Sequence, residues 1–243
     1  MALRCVSVSM EETMGAGPGG EYYLGDALSL LPEIMEKYEG QVQCIYLDPP
    51  FLTGQTFRMS VRVGETDWKN MSGSVHVPTF QDCRDAAQYF ATMERVLKAS
   101  HKLLKDEGAL FVHVDYRAHA RLRILADEIF GEENFVNEII WAYKSGGRAR
   151  ASFPRKHDII LLYRKTKKQY FNIGAVLEKR LAPPGNHMRK HVDPDGRVYR
   201  SIRSGGRVYT YYDDDPVAPT DVWDDISHLQ QKDYERTGYD TQK

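Results

Sequence analysis

The chain has 243 residues, of which 42% are hydrophobic and 28% are charged, which is enough for one sizeable core or for one core with a small insert. The sequence contains no run of about 18 apolar residues and no signal-peptide pattern, which argues against a membrane span and predicts a soluble, cytoplasmic protein. The formal net charge of -1 hides an uneven distribution, because residues 144–207 hold 17 Lys and Arg against 4 Asp and Glu.

The first predicted elements follow residue 20, since residues 1–20 show no periodic pattern and predict an irregular tail. A helix is predicted between Asp26, as its capping residue, and Gly40, because apolar residues recur at helical spacing between them. The next stretch, VQCIYLDPP, is apolar on both faces, which is typical of a parallel strand covered by helices on either side.

Helices and strands continue to alternate through the stretch that ends at residue 164. A second helix is predicted to stop at Gly108, and it is followed by the buried strand ALFVHVD and by a third helix that stops at Gly131. The strands FVNEIIWAY and HDIILLYRK come next and favour a hairpin. This order predicts a Rossmann-like, doubly wound α/β sheet.

The character of the sequence changes beyond residue 165. Short alternating stretches are separated by turn sequences, namely DPDG at residues 193–196 and SGGR at residues 204–207, the latter echoing SGGR at residues 145–148. We therefore expect residues 165–234 to form a small, β-rich and basic insert.

The stretch DPPF, residues 48–51, carries the most specific chemistry in the sequence. Asp48 comes where a buried strand ends, and ligands of open α/β sheets bind beyond the carboxyl ends of the strands. Pro49 and Pro50 have no N–H and favour an extended backbone, so this edge offers hydrogen-bond acceptors only. Phe51 adds a flat apolar face. The combination suits an exocyclic amino group on a planar base.

The sequence resembles the amino-directed DNA methyltransferases of the N6-adenine and N4-cytosine group, in the permuted order that places the catalytic motif before the cofactor motif. The matching segments are LGDAL at 24–28, CIYLDPPF at 44–51, ALFVHVDYRAHARLRILADEIFGEENFVNEIIW at 109–141, RKHDIILLYRK at 155–165 and TQK at 241–243. The resemblance implies methyl transfer from S-adenosylmethionine to DNA. A motif that begins with Asp favours adenine N6, and N4-cytosine methylation or a non-catalytic DNA-binding remnant are the alternatives.

The resemblance also implies roles for individual residues. The catalytic set is Asp48, Pro49, Pro50 and Phe51, with Phe51 stacking on a base flipped out of double-stranded DNA. The cofactor set is Asp26, Thr241, Gln242 and Lys243. Residues 21–164 would be the catalytic part of the methyltransferase domain, 165–234 the target-recognition insert and 235–243 the start of the cofactor side. Candidate DNA contacts are Arg148, Arg150, Arg203 and Arg207. No metal is implied.

One family feature is not found in the sequence. No Phe-x-Gly-x-Gly loop follows TQK, so we expect a truncated or split enzyme in which the strand CIYLDPP lies at an unpaired, apolar sheet edge. A second copy of the chain or a complementary chain would then supply the cofactor half. A restriction endonuclease is a further possible partner.

Several polar residues have a structural interpretation beside a functional one. Asp26 could act only as a helix cap, and Asp115 is predicted to cap the third helix rather than to face the site. His113, inside an apolar strand, is predicted to be a core residue with satisfied hydrogen bonds. His187 and His191 have the spacing of a metal pair, but no third ligand is evident.

Overall fold

The computed structural model describes residues 4–6, 20–62, 74–81, 85–143, 149–180, 182–185 and 187–227. The chain forms two compact units, the first comprising Met1–Tyr170 with Val222–Lys243 and the second comprising Phe171–Asp221. Within the described residues, no helix combines the length and the hydropathy that a membrane crossing requires.

Twelve strands and three α-helices are described. In the first unit they are β1 (Arg4–Val6), β2 (Tyr22–Leu24), α1 (Ala27–Tyr38), β3 (Val42–Leu47), β4 (Thr56–Arg62), β5 (Ser74–Gln81), α2 (Ala86–Leu103), β6 (Leu104–Val114), α3 (His119–Phe130), β7 (Phe135–Ala142), β8 (His157–Arg164) and β12 (Val222–Trp223). The second unit contains β9 (Arg189–Val192), β10 (Val198–Ser204) and β11 (Arg207–Tyr212).

The central sheet has the strand order β12-β7-β8-β6-β3. Strand β3 runs parallel to β6, with Ile45 opposite Leu110, whereas β8 is antiparallel to both β6 and β7. The predicted parallel pair and the predicted hairpin are both confirmed, and the fold is a Rossmann-like α/β sheet. In the described part of the chain, β3 pairs on one side only and is an end strand.

The main core lies between one face of this sheet and helices α2 and α3. Alternate residues of β6 and β8, including Leu110, Leu161 and Tyr163, are completely buried there. The opposite face carries a smaller cluster of Ala109, Ile139, Ile160 and Leu162, against which Trp223 packs. Because side chains alternate along a strand, Ala109, Phe111 and His113 of β6 point toward this less covered face.

Helix α1 begins and ends where the sequence predicts. The Asp26 side chain accepts a hydrogen bond from the Ser29 N–H at 3.1 Å, which satisfies one of the free donors of the first turn. Beyond the last turn, Gly40 has φ of 67°, a left-handed conformation that glycine adopts without a Cβ clash. The capping role predicted for Asp26 is therefore confirmed.

The predicted end of the second helix at Gly108 is wrong. Helix α2 ends at Leu103, and β6 begins at the next residue. Gly108 lies inside β6, where a Cβ atom would come within 2.9 Å of the Lys105 carbonyl and 3.0 Å of the Val42 carbonyl. The pairing of β3 with β6 also shifts register near this point. Gly108 thus permits a close backbone approach at an irregularity in the strand.

Three pairings were not predicted. Strands β4 and β5 form an antiparallel pair after the DPPF motif, and β12 adds to the edge of β7 in parallel. Strand β1 pairs with β2, with Cys5 opposite Tyr23, so the tail expected to be irregular contains a strand. Two- and three-residue strands are held by backbone hydrogen bonds and are too short to show a side-chain period.

The second unit is built on the antiparallel sheet β9-β10-β11. The predicted DPDG turn is confirmed, since Asp193 Oδ1 accepts hydrogen bonds from the Asp195 and Arg197 N–H groups. In the second SGGR sequence, Gly205 and Gly206 have φ of 55° and 78°, as a two-residue hairpin turn requires. The first SGGR sequence lies outside the described residues. The unit itself begins at Phe171, within the predicted insert.

Candidate active site

The DPPF motif lies directly beyond the carboxyl end of β3. The Asp48 side chain is 39% exposed, and Pro49 and Phe51 are half-buried. Leu52 then adopts φ of 56°, which is uncommon for a residue with a branched side chain and costs about 1 kcal/mol or more. Its side chain packs against the main core, which holds this turn in place. The chain therefore leaves the motif by a sharp, anchored turn.

A buried histidine lies beneath the motif. His113, on the less covered face of β6, is 1% exposed, and its Nδ1 atom is 3.6 Å from Asp48 Oδ1. The ring of Phe51 meets the imidazole edge-on with 5.5 Å between the ring centroids. The sequence predicted that His113 is a buried residue with satisfied hydrogen bonds, and the structure confirms this prediction. The contact between His113 and Asp48 was not predicted.

The His113 imidazole has polar partners on both ring nitrogens. The Tyr46 Oη atom is 3.0 Å from Nδ1, and Asp158 Oδ2 is 3.3 Å from Nε2. Tyr143 in turn donates from its hydroxyl to Asp158 Oδ1 at 3.4 Å. Tyr46, His113, Asp158 and Tyr143 thus form a row of side chains across β3, β6 and β8 and onto the end of β7. We call these four residues the polar row.

The hydroxyl groups at both ends of the polar row hold their protons firmly. Burial, followed by the negative charges of Asp48 and Asp158, raises the pKa of Tyr46 to about 12. Burial and the charge of Asp158 raise the pKa of Tyr143 to about 12 as well. Both tyrosines are therefore neutral hydrogen-bond donors at physiological pH.

Asp115 is buried at the carboxyl end of β6, and its predicted role needs a correction. The N-cap position of α3 is Ala118, and no side chain caps this helix. The Asp115 carboxylate instead accepts a hydrogen bond from the Arg117 N–H at 2.9 Å and pairs with the Arg117 guanidinium, closing a turn before the helix. Burial nevertheless raises the pKa of Asp115 above its usual range.

An exposed tyrosine between two arginines lies just beyond Asp115. The guanidinium carbon of Arg155 lies 4.1 Å from the centroid of the Tyr116 ring, and that of Arg117 lies 4.8 Å from it. Tyr116 is 51% exposed. This group places positive charge and a flat aromatic surface at the same edge of the sheet as the DPPF motif.

Asp26 is the one predicted cofactor residue within the described part of the chain. Its Oδ1 atom accepts hydrogen bonds from the N–H and the hydroxyl of Ser29. In the described residues Oδ2 makes no hydrogen bond, so an exposed carboxylate oxygen is available to accept one from a ligand. The chemistry of this side chain therefore fits the predicted contact with S-adenosylmethionine. Thr241, Gln242 and Lys243 lie outside the described residues.

The predicted DNA contacts are not all on one surface. Arg148 lies outside the described residues, and Arg150 is exposed before β8. In the β10-β11 hairpin, Arg203 is opposite Val208 and Arg207 is opposite Ser204. Because successive residues alternate between the faces of a sheet, Arg203 and Arg207 point to opposite faces.

The neighbouring basic residues differ in how far their charge is compensated. Arg197 forms ion pairs with Asp214 and Asp215, and Arg200 forms one with Asp213. The face that carries Arg207 also presents Tyr209 and Tyr211, which are 44% and 39% exposed. This face combines positive charge with exposed aromatic rings.

No group of three or more His, Cys, Asp or Glu side chains in the described ranges is arranged to hold a metal ion. Of the histidine pair noted in the sequence, His191 is 2.9 Å from the Ser201 hydroxyl and stacks on Tyr199. His191 is thus part of the packing of the second unit.

The fold and the motif define a Rossmann-like protein with an acceptor-only edge at the end of a parallel strand. The family model N6_N4_Mtase, described as DNA methylase, matches residues 42–243. The chain therefore belongs to this family of DNA methylases, as the motifs predicted.

Named relatives agree with this assignment. The type II methyltransferase M.EcaI of Enterobacter cloacae is 26% identical over 249 residues, covering 84% of this chain and 52% of the relative. The StyLTI Mod subunit, a type III restriction-modification enzyme of Salmonella typhimurium, is 30% identical over 156 residues, covering 60% of this chain and 24% of the relative. The chain thus spans about half of the first relative and about a quarter of the second.

Among solved structures, the PvuII DNA methyltransferase, described as cytosine-N4-specific, aligns with 63% of this chain and 52% of its own, at 17% identity and a TM-score of 0.39. The family assignment rests on the sequence comparisons.

Proposed function

We propose that this protein transfers a methyl group from S-adenosylmethionine to the exocyclic amino group of a base in DNA, with adenine N6 as the preferred target. The observation that carries the proposal is the position of Asp48, Pro49, Pro50 and Phe51 at the carboxyl end of β3, beside the parallel strand β6. Membership of the DNA methylase family supports the reaction class.

The motif acts on the amino group through its acceptors. The Asp48 carboxylate and the nearby main-chain carbonyls accept hydrogen bonds from the amino N–H groups, while the two prolines present no competing donor. An amino group conjugated to a base is a weak nucleophile because its lone pair is delocalised into the ring. Hydrogen bonds to both of its hydrogens favour a pyramidal nitrogen with a localised lone pair, and they strengthen as positive charge develops.

Phe51 holds the base in position. A base must leave the duplex before it can reach Asp48, at a cost of a few kcal/mol. Stacking on an aromatic side chain offsets about 1–3 kcal/mol of this cost. Phe51 is half-buried and braced against the His113 ring, so one ring face can be presented with little loss of side-chain freedom.

When bound, S-adenosylmethionine supplies the methyl group. We assign Asp26 to the binding of this cofactor, because an exposed carboxylate oxygen is available at the amino-terminal end of α1. Thr241, Gln242 and Lys243 complete the proposed set. A second copy of the chain or a complementary chain could contribute further cofactor contacts, and the end strand β3 is where an additional strand would pair.

Double-stranded DNA is the proposed substrate, and the face of the second unit that carries Arg207 with the exposed rings of Tyr209 and Tyr211 supports it. We assign residues 165–234 to target recognition because Lys and Arg contacts with phosphates dominate nucleic-acid affinity. A DNA substrate also agrees with the cytoplasmic location expected from the sequence. The names of the type II and type III relatives support a restriction endonuclease as a functional partner.

Product analysis tests the proposal. The chain is incubated with duplex DNA and S-adenosylmethionine labelled in its methyl group, and the DNA is digested to nucleosides that are identified by mass spectrometry. We expect labelled N6-methyl-2′-deoxyadenosine, whose formation requires Asp48. Labelled N4-methyl-2′-deoxycytidine would refute the preference for adenine, and the absence of label from DNA would refute the proposed activity.

A further inference from the structure

We propose that His113 is a proton-relay residue, which accepts at Nδ1 the proton that Asp48 removes from the amino group of the base. This inference rests on the proposed function, and it adds a positioning residue that acts through Asp48 rather than on the base itself.

The chemistry requires an acceptor of this kind. For each methyl group that the amino nitrogen gains, a bond from nitrogen to the methyl carbon forms, the bond from that carbon to sulfur breaks, and the nitrogen must lose one proton. Asp48 accepts that proton from the nitrogen, but a protonated carboxyl carries an O–H donor and is a weaker acceptor, so it must lose the proton before it can hold the amino group of a second substrate. A buried base next to Asp48 would restore the carboxylate.

Geometry places His113 in that position. Its Nδ1 atom is 3.6 Å from Asp48 Oδ1, a distance that a small rotation of either side chain would shorten to a hydrogen bond. The same Nδ1 atom is 3.0 Å from Tyr46 Oη. The imidazole is 1% exposed, so water does not compete for this atom.

The tautomer needed for proton acceptance follows from the hydrogen bonds. The Tyr46 hydroxyl, 3.0 Å from Nδ1, keeps its proton and can donate it, because partial burial and the negative charges of Asp48 and Asp158 raise its pKa to about 12. Asp158 Oδ2, 3.3 Å from Nε2, is an acceptor. These two partners favour the imidazole tautomer with its hydrogen on Nε2, which leaves Nδ1 able to take a proton.

Carboxylates lie near both ring nitrogens of His113. Asp48 Oδ1 is 3.6 Å from Nδ1 and Asp158 Oδ2 is 3.3 Å from Nε2, so a hydrogen on either nitrogen has an acceptor nearby. Tyr143 donates to the second oxygen of Asp158 and fixes its orientation, and Asp115 lies at the end of the same strand.

A path for the proton to leave is also present. Tyr46 is 55% exposed, and its hydroxyl contacts Nδ1, so the hydroxyl can pass the proton to water after the methylated base has left. His113 has then lost the proton that it accepted, and one proton is released to solvent for each methyl group transferred.

The first test reads the tautomer directly and needs no methyl transfer. Nitrogen chemical shifts of 15N-histidine-labelled protein distinguish an unprotonated Nδ1 from an unprotonated Nε2. We expect His113 to carry its hydrogen on Nε2 and expect Tyr46→Phe, at an exposed position, to populate the other tautomer. A hydrogen on Nδ1 in the wild type would overturn the relay.

The second test is the pH dependence of single-turnover methyl transfer. We expect His113→Asn to lower the transfer rate by about 10²-fold, to leave DNA affinity unchanged, and to remove one protonation step from the pH profile. His119→Asn is the matched control, because His119 also contacts a carboxylate, Glu138, at 3.0 Å, and we expect it to keep the wild-type profile.

The outcomes separate this inference from the proposed function. An Nε2-protonated tautomer together with an unchanged pH profile in His113→Asn would refute the relay while leaving the methyltransferase proposal intact. A wild-type protein that transfers no methyl group would refute both, because the relay would have no proton to carry. If His113→Asn fails to fold, Tyr46→Phe provides the same comparison, and an unaltered tautomer and rate in that variant would refute the relay.

Discussion

Replacement of Phe51 by Ala tests the proposed capture of a flipped base. The Phe51 ring is half-buried and lies edge-on to the His113 ring, with 5.5 Å between their centroids. Stacking of a base on an aromatic ring is worth about 1–3 kcal/mol. The loss of this ring is therefore expected to lower kcat/KM by about 5-fold to 150-fold.

The same replacement has a smaller effect on folding. An aromatic pair contributes about 0.5–1.5 kcal/mol beyond burial of area, and a half-buried side chain adds about 1 kcal/mol of transfer free energy. We expect Phe51→Ala to lower the free energy of unfolding by about 2 kcal/mol. Phe51→Tyr keeps the ring and is the matched control, for which near-wild-type values of both quantities are expected.

The assay combines two measurements on the same proteins. Fluorescence of 2-aminopurine placed at the target position reports base flipping, and initial rates of methyl transfer give kcat/KM. Phe51→Ala should weaken both signals in parallel. Unaltered flipping and unaltered transfer in a folded Phe51→Ala protein would refute the stacking role.

Three further predictions follow from the structure. Burial raises the pKa of Asp115, so the folded state binds its proton more tightly than the unfolded state, and the associated stability is present at low pH and is lost as pH rises through the folded pKa. Asp115→Asn should flatten this decline of the free energy of unfolding with pH, measured by urea unfolding. An unchanged dependence on pH would contradict the prediction. Tyr163→Phe removes a buried hydroxyl that donates to Asp127 at 2.5 Å, and should lower the free energy of unfolding by about 1–2 kcal/mol, whereas no change would argue against this bond. Arg207→Ala should reduce the slope of the logarithm of DNA affinity against the logarithm of salt concentration by about 1. Arg203→Ala, on the opposite face, is the matched control, and equal effects of the two replacements would contradict binding through one face.

Periodicity was sufficient to predict most of the central sheet. Strands β6 and β8 are apolar on both faces over residues 109–112 and 159–163, a pattern typical of interior strands. Asp26 and Gly131 mark helix boundaries through their own conformational preferences. The end of α2 was mispredicted because Gly108 is a helix terminator by preference, whereas here it is required by a close approach of two backbones.

The DPPF motif could be predicted because four adjacent residues carry its chemistry. The polar row could not, because its members are far apart in the sequence. Tyr46 and His113 are separated by 67 residues, and His113 and Asp158 by 45. Only the pairing register of three strands brings them together, and a histidine within an apolar strand has the pattern of an ordinary core residue. The one available signal was that Tyr46 and Asp48 are two residues apart at the end of a strand.

The assignment of DNA contacts also depended on strand register, which the sequence does not reveal. Arg203 and Arg207 are close in sequence and both lie in a basic segment, so composition alone placed them together. The two-residue turn at Gly205 and Gly206 fixes the hairpin register and sends their side chains to opposite faces. Charge is readable from a sequence, but the face on which it lies depends on register.

The measurement that tests the central claim most directly is methyl transfer to DNA by the wild type and by Asp48→Ala, with DNA affinity measured on the same samples. Asp48 is partly exposed and lies after the end of β3, so its replacement should leave the fold intact. We predict equal DNA affinity and a loss of at least about 10²-fold in transfer rate for Asp48→Ala. Transfer by Asp48→Ala at the wild-type rate would contradict the assignment of the DPPF motif as the catalytic site.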